Sequence, residues 1–322
     1  MKFLDARPGE ARTLPAQGAL PETVHVFDEA TINAIDAALA ADRPLLVRGE
    51  PGTGKSQLAR AAAVALGRTF LPFTVDARTE SRDLLYSVDT VARLAESQIV
   101  GHLKGAAELD VRSHLAEKNF TSPGPLWWVF DWESARKQSE VARSTSPISP
   151  AGWAPEDGAV LLLDEIDKAD PAVPNGLLEA FGFGQLTTPW GEPVSSRASV
   201  PPLVIITTNE ERSLPDAFVR RCLVLQLSWP LRREELTAAL VARGRAHFPD
   251  ADGELLARAA DMVADDREVI LDRQLNPPGG AEYLDLLRAV IRRHPEDPKA
   301  QRAGLDRIRA FALRKHPEER EA

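Results

Sequence analysis

Gly49-Glu-Pro-Gly-Thr-Gly54-Lys55-Ser56 is a run whose residue types and spacing suit the binding of a phosphate chain. It matches G-x-x-x-x-G-K-[ST] in full, directly after the apolar Leu45-Leu-Val47 and before a helix-forming stretch, the strand–loop–helix context that the pattern requires. Its glycines let backbone N–H groups turn inward around an anion, and the following helix adds the positive end of its dipole. In such a loop Lys55 reaches the β- and γ-phosphates while the Ser56 hydroxyl ligates Mg²⁺. Glu50, Pro51, Gly52, Thr53, Gly54, Lys55, Ser56 and Gln57 are therefore the candidate nucleotide-binding residues.

Three further places carry chemistry. Val160-Leu-Leu-Leu163 is an apolar strand that ends in Asp164-Glu165. Asp164 can hold Mg²⁺ through water, which joins it to Ser56 as a candidate metal ligand, and Glu165 can polarise an attacking water. A carboxylate base fits hydrolysis better than transfer to an acceptor hydroxyl, which would have to dock. Leu203-Val-Ile-Ile-Thr-Thr-Asn209 is a second such strand. Its terminal amide can orient the same water, although asparagine is also a common turn former. Leu214-Pro-Asp-Ala-Phe-Val-Arg220-Arg221 sets two arginines just before the last apolar run. An arginine there either neutralises transition-state charge on a γ-phosphate or is a solvated helix end.

To hold these groups the chain needs buried strands. Apolar runs of strand length occur at 45–47, 71–75, 160–163, 203–206 and 223–227, and runs apolar on both faces suit a parallel sheet. Helical segments between them give an α/β class. Phe27, Ile32, Ile35 and Leu39 share one face of a predicted N-terminal helix over 27–39. Residues 80–120 read as helical and polar, longer than a simple crossover requires. Residues 134–158 read as a mobile Ser/Pro-rich loop. Past Trp229-Pro230 no strand is predicted, and 232–247, 253–264, 281–293 and 301–315 read as helices. The expected division is an N-terminal helical segment over 1–40, a nucleotide-binding core over 41–229 and a helical domain over 230–322.

Composition narrows the function classes. The 322 residues carry 39 Lys+Arg against 48 Asp+Glu, a net charge of −9, which argues against broad nucleic-acid affinity. The single cysteine, Cys222, excludes a disulfide framework and a cysteine zinc cluster within the chain. The six histidines lack metal-ligand spacing. No apolar run approaches the roughly 20 residues that span a bilayer, and the opening MKFLDARPGE turns acidic too early for a secretory signal. A cytoplasmic protein is expected. Trp127-Trp128 and Trp132 read as core or as a docking patch, and Arg232-Arg233 and Arg292-Arg293-His294 as solvated helix faces.

The order of Gly49–Ser56, Leu161–Glu165, Thr207-Thr-Asn209 and Arg220-Arg221 resembles that of AAA+ ATPases. The bridge Asp164-Glu-Ile-Asp-Lys-Ala-Asp170, then Leu177-Leu-Glu-Ala and the turn-rich Gly184–Ser196, looks most like the MoxR subgroup. The resemblance spans roughly residues 25–295. It implies a P-loop NTPase (AAA+) parallel-sheet core with a C-terminal all-helical lid, ATP and Mg²⁺ as ligands, and a Mg-dependent ATP hydrolase. Lys55 and Ser56 become Walker A residues, Asp164 and Glu165 Walker B, Asn209 sensor 1, and Arg220 or Arg221 a finger acting on a neighbouring subunit. Residues 184–196 become a hairpin, and part of 84–126 the insertion of this branch. Such proteins form rings, usually hexamers, and remodel partner proteins, often ones with von Willebrand factor A domains. The chain departs from the pattern at Leu275-Asn-Pro-Pro-Gly-Gly-Ala-Glu-Tyr, where a lid arginine is expected. Arg273 and Arg288 are the flanking candidates.

Two other classes stay open on the same residues: a nucleic-acid motor or loader, and a nucleotide switch with little turnover. No Asn-Lys-x-Asp guanine reader follows a strand, so adenine is implied by the resemblance rather than by the residues.

Overall fold

In the computed structural model, residues 3–102, 108–196, 200–273 and 275–313 are described. Along the chain come β1 (Ala11–Leu14), β2 (Thr23–Val26), α1 (Glu29–Ala41), β3 (Leu45–Gly49), α2 (Lys55–Leu66) and β4 (Thr69–Thr74). Next are α3 (Ser81–Leu85), β5 (Tyr86–Val88), α4 (Thr90–His102), α5 (Glu108–His114), β6 (Thr121–Pro123), α6 (Pro125–Phe130) and α7 (Trp132–Ala142). After these stand β7 (Ala159–Asp164), α8 (Ala172–Gly176), α9 (Leu178–Phe183), β8 (Gln185–Thr187), β9 (Pro193–Ser195), β10 (Leu203–Thr208), α10 (Asp216–Val219) and β11 (Leu223–Leu227). The remaining helices are α11 (Arg233–His247), α12 (Gly253–Asp272), α13 (Gly280–Arg293) and α14 (Pro298–Ala312).

Two compact units divide these elements. The first comprises Met1–Asp5, Asn33–Val47 and Ala62–Leu225, the second Ala6–Ile32, Arg48–Ala61 and Gln226–Ala322. The first is built on a five-stranded sheet in the order β11-β3-β10-β7-β4, with β10 and β4 both parallel to β7. Each of the five predicted apolar runs falls on one of these strands, with only Val75 beyond the end of its strand. Val160–Leu163 and Leu203–Ile206 are at most 5% exposed, as strands covered on both faces must be. Trp127, Leu161, Leu163, Ile206 and Phe218 are among the residues of the core, and both Trp127 and Trp128 are buried in it.

The span 80–120 is not purely helical. β5, inside it, and β6, just beyond its end, pair antiparallel through Ser87 and Ser122. The hairpin region holds β8 against β9, with Leu186 opposite Val194. The expected loop over 134–158 begins as helix, with α7 running to Ala142. Asp131 accepts the Ser134 N–H at 3.0 Å as N-cap, and Arg136 bonds Glu133 and Glu140 at 2.9 and 2.7 Å, the spacings that support a helix. Arg143 then stops α7 in a left-handed conformation. The Ser/Pro content that suggested a loop is concentrated in residues 144–155, beyond the helix.

The second unit contains the antiparallel pair β1–β2, so the N-terminal segment is not helical throughout: only α1 is. Asp28 and Thr31 cap that helix reciprocally, each backbone N–H meeting the other's side chain at 3.1 and 2.7 Å. Helices α11–α14 enclose a core that includes Leu240, Leu256, Tyr283, Leu287 and Leu305. Helix α12 runs to Asp272, past the predicted end at 264, because Val263, Asp266, Arg267 and Ile270 continue its buried face. At 20 residues it is about 30 Å long. Arg233 is not simply solvated but bonds Asp265 at 2.6 Å. The last predicted helical residues, 314–315, lie outside the described ones. Among the described residues no helix is long and apolar enough to cross a membrane.

Candidate active site

The phosphate-loop residues belong to the second unit. β3 ends at Gly49 and α2 begins at Lys55, so residues 50–54 form the connecting loop. Lys55 is 7% exposed and its ammonium donates to the Gly49 and Glu50 carbonyls at 2.7 and 2.9 Å. Thr53 Oγ1 donates to the Glu50 carbonyl at 2.9 Å. Gly54 has φ +102°, a conformation that L side chains rarely adopt. Gln57 Nε2 ties α2 to β2 through Thr23 Oγ1 and the Val24 carbonyl, at 3.1 and 3.0 Å.

Two arginines that the sequence pattern did not single out meet this loop. Arg267 of α12 is 4% exposed and forks both Glu50 carboxylate oxygens, at 2.9 and 2.7 Å, while donating to the Pro278 carbonyl at 3.2 Å. Arg243 of α11 donates to the Thr53 carbonyl at 3.1 Å and lies over the Trp229 ring, 5.3 Å from its centroid. Gly280, in the stretch where a lid arginine was sought, has no room for one. A Cβ there would stand 2.6 Å from the Trp229 ring. Arg288 instead bonds Asp285 at 2.6 Å, and Arg273 ends α12. The signal for Arg267 was its place on the buried face of α12, where a charged residue is almost never found without a partner.

Beside the loop, a cavity of about 350 Å³ is lined by Thr53, Gly54, Gln57, His25, Trp229, Arg243 and His247, among others. His25 is 7% exposed, and among the described residues neither ring nitrogen meets a partner in good hydrogen-bond geometry. Burial first, then the Arg243 charge, pushes its pKa down to about 4. Burial likewise pushes His247 down to about 4, with Arg243 and Arg288 adding to it. The fold thus keeps both imidazoles neutral, whereas an unfolded chain protonates them near 6.5. Their contribution to stability is complete above about pH 6.5 and is lost as pH falls toward 4. A denaturant midpoint followed from pH 7 to 4 is expected to drop over that window, and to drop less in His25→Leu.

The carboxylates belong to the first unit. Because Ile206 stands opposite Leu163, the next residues of the two strands meet as well. Thr207 Oγ1 donates to Asp164 Oδ1 at 2.5 Å and accepts the Glu165 N–H at 2.9 Å. Glu165 sits in the left-handed region, φ 61° and ψ 47°, a strained state for a residue with a side chain. Its Oε2 pairs with Lys168 at 2.6 Å and its Oε1 accepts from Asn209 Nδ2 at 3.4 Å. The hydrogen bond to Glu165 raises the Lys168 pKa. Asp164, Glu165 and Asn209 are therefore brought together, and Thr207 and Lys168 join them, two residues of the quoted runs to which the sequence assigned no role. Arg220 and Arg221 are exposed at the end of α10 and neither joins this group. Arg221 Nη1 donates to the Ala217 carbonyl at 3.1 Å, while the Arg220 carbonyl accepts from Arg43 at 2.7 Å.

The Ser56 hydroxyl and the Asp164 carboxylate are hard oxygen donors of the kind Mg²⁺ takes. Among the described residues no group of three or more His, Cys, Asp or Glu would hold a metal by itself.

A family model described as an AAA domain of the dynein-related subfamily matches residues 44–222. Among solved structures, a point mutant of RuvB from Thermotoga maritima is similar at a TM-score of 0.41 and 14% identity, covering 86% of this chain and 81% of that one. No curated protein matches the chain.

Proposed function

The chain belongs to the AAA domain family, dynein-related subfamily, and on that premise we propose that it is a Mg²⁺-dependent ATP hydrolase of the MoxR type. In this reading it works as a ring, a hexamer, in the cytoplasm, and turns hydrolysis into remodelling of a partner protein such as one with a von Willebrand factor A domain. Residues 41–229 act as the catalytic core, 230–322 as the lid and 1–40 as a flanking segment.

The loop N–H groups and Lys55 bind the phosphates. The nucleobase enters the cavity beside Thr53 and Gly54, where the His25 nitrogens supply hydrogen-bonding groups. Ser56 and Asp164 would hold Mg²⁺, which would supply charge neutralisation on the phosphate oxygens. Glu165 accepts the proton of the attacking water, Asn209 orients that water, and Thr207 fixes both carboxylate residues. Arg220 or Arg221 reaches the γ-phosphate held by a neighbouring copy. The observation that carries turnover over a mere switch is the Glu165 carboxylate, held between Asn209 and Lys168 in a left-handed backbone.

The test is phosphate release per subunit across a wide range of protein concentration, for wild type and Lys55→Ala. Specific activity is expected to rise with concentration and to be absent in the variant. Equal activity at every dilution, with a monomeric mass under ATP, overturns the ring. Binding without turnover under every condition overturns hydrolysis in favour of a switch.

A further inference from the structure

A second cleft, of about 250 Å³, lies in the first unit and has no part in ATP hydrolysis as proposed above. Its walls include Trp128, Trp132 and Trp153, which pack edge to face in succession, with ring centroids 4.9 and 4.6 Å apart. Trp132 and Trp153 remain partly exposed. The cleft also includes Asp131, Glu133 and Glu156. It opens beside Ala159, where β7 starts, and Asp164 ends that strand. Six residues of strand separate the two ends by about 17 Å.

The Ser/Pro-rich connection is what completes it. Residues 144–154 are pinned by Ser139 Oγ on the Ser144 carbonyl at 2.9 Å and by Thr69 Oγ1 on the Ile148 carbonyl at 3.3 Å. Trp153 Nε1 donates to the Gly158 carbonyl at 2.9 Å, which brings its ring onto Trp132.

We propose that this cleft binds an arginine or lysine side chain from a basic segment of a partner polypeptide. Tryptophan faces attract cations more strongly than any other aromatic side chain. Glu156 supplies the complementary charge and opposes phosphate, which argues against a nucleic-acid occupant. Asp131 caps α7 and Glu133 pairs with Arg136, whereas Glu156 is exposed at the edge. Arg68, the cation behind Gly158, is turned to the Pro201 carbonyl at 2.8 Å and does not line the cleft. The inference is independent of the hydrolysis reading and stands or falls without it.

The experiment is calorimetric titration of the full chain with a capped alternating arginine–glycine hexapeptide, beside the same peptide with citrulline, the uncharged isostere, for arginine. The arginine peptide is expected to bind and the citrulline peptide not to. Trp153→Ala should weaken binding about tenfold or more, with Trp153→Phe restoring part of it. Glu156→Gln, an exposed change that leaves folding intact, should weaken binding and flatten its salt dependence. Basal ATP turnover should be unchanged in all three variants. Equal binding of the citrulline peptide, no binding of the arginine peptide at millimolar concentration, or unchanged affinity in both Trp153→Ala and Glu156→Gln overturns the proposal.

Discussion

Glu165→Gln is expected to lower ATP turnover by about 10²–10⁴-fold, the range that a positioned general base supplies, and to leave nucleotide affinity unchanged. Glutamine keeps the length and the acceptor oxygen that meets Asn209 Nδ2 at 3.4 Å but takes no proton from water. The left-handed backbone at this position strains glutamate and glutamine alike, so the substitution adds no new backbone cost. Lys168 loses a partner, yet its side chain is 42% exposed, and exposed ion pairs of this kind contribute little to stability. The fold should therefore survive, and the lost rate can be assigned to the proton. Single-turnover phosphate release with a fluorescent-nucleotide affinity measurement separates the two quantities. Turnover near the wild-type level would remove Glu165 from the base role.

The second large effect is at the paired arginines. Loss of an arginine that stabilises phosphoryl-transfer charge costs about 10³–10⁵ in rate, and Arg220→Ala is expected to fall in that range, with Arg221→Ala milder. Arg221 is already committed to the Ala217 carbonyl of its own helix. The bond from Arg43 uses the Arg220 carbonyl and survives the loss of that side chain. Both side chains are exposed, so neither deletion should unfold the protein. Mixing Arg220→Ala with Glu165→Gln gives the sharper outcome. If the arginine serves a neighbour, mixed rings contain sites where an intact Glu165 meets an intact Arg220, and activity partly returns. No recovery at any ratio would place the finger elsewhere.

What could be read from the sequence obeys a physical division. The five sheet strands were legible because strands covered on both faces must be apolar throughout, and the phosphate loop because its backbone geometry demands glycine at fixed spacing. Asn209 and Glu165 were legible as strand ends, but their closeness depends on the register of β10 against β7. The strands β1 and β2 were not legible: four residues with one buried position each leave too short an alternation to detect. α7 was hidden because its face is held by a cap and ion pairs rather than by large apolar side chains. Arg243 and Arg267 were missed for a different reason. A periodic reading treats charge on a helix as solvent-facing, and the partner that buries Arg267 lies 217 positions away.

That distant partner changes how the phosphate loop itself is understood. A loop shaped to receive a polyanion carries a carboxylate, Glu50, at its second position, which taken alone would repel its own ligand. Arg267 cancels that charge with a side chain that is itself shielded from salt by burial. The electrostatic potential over the loop is thus set jointly by a residue inside the motif and one far outside it. An unspecified position of a sequence pattern is here half of a charge-balanced pair, and exchanging either half alone would retune anion affinity without touching any residue the pattern names.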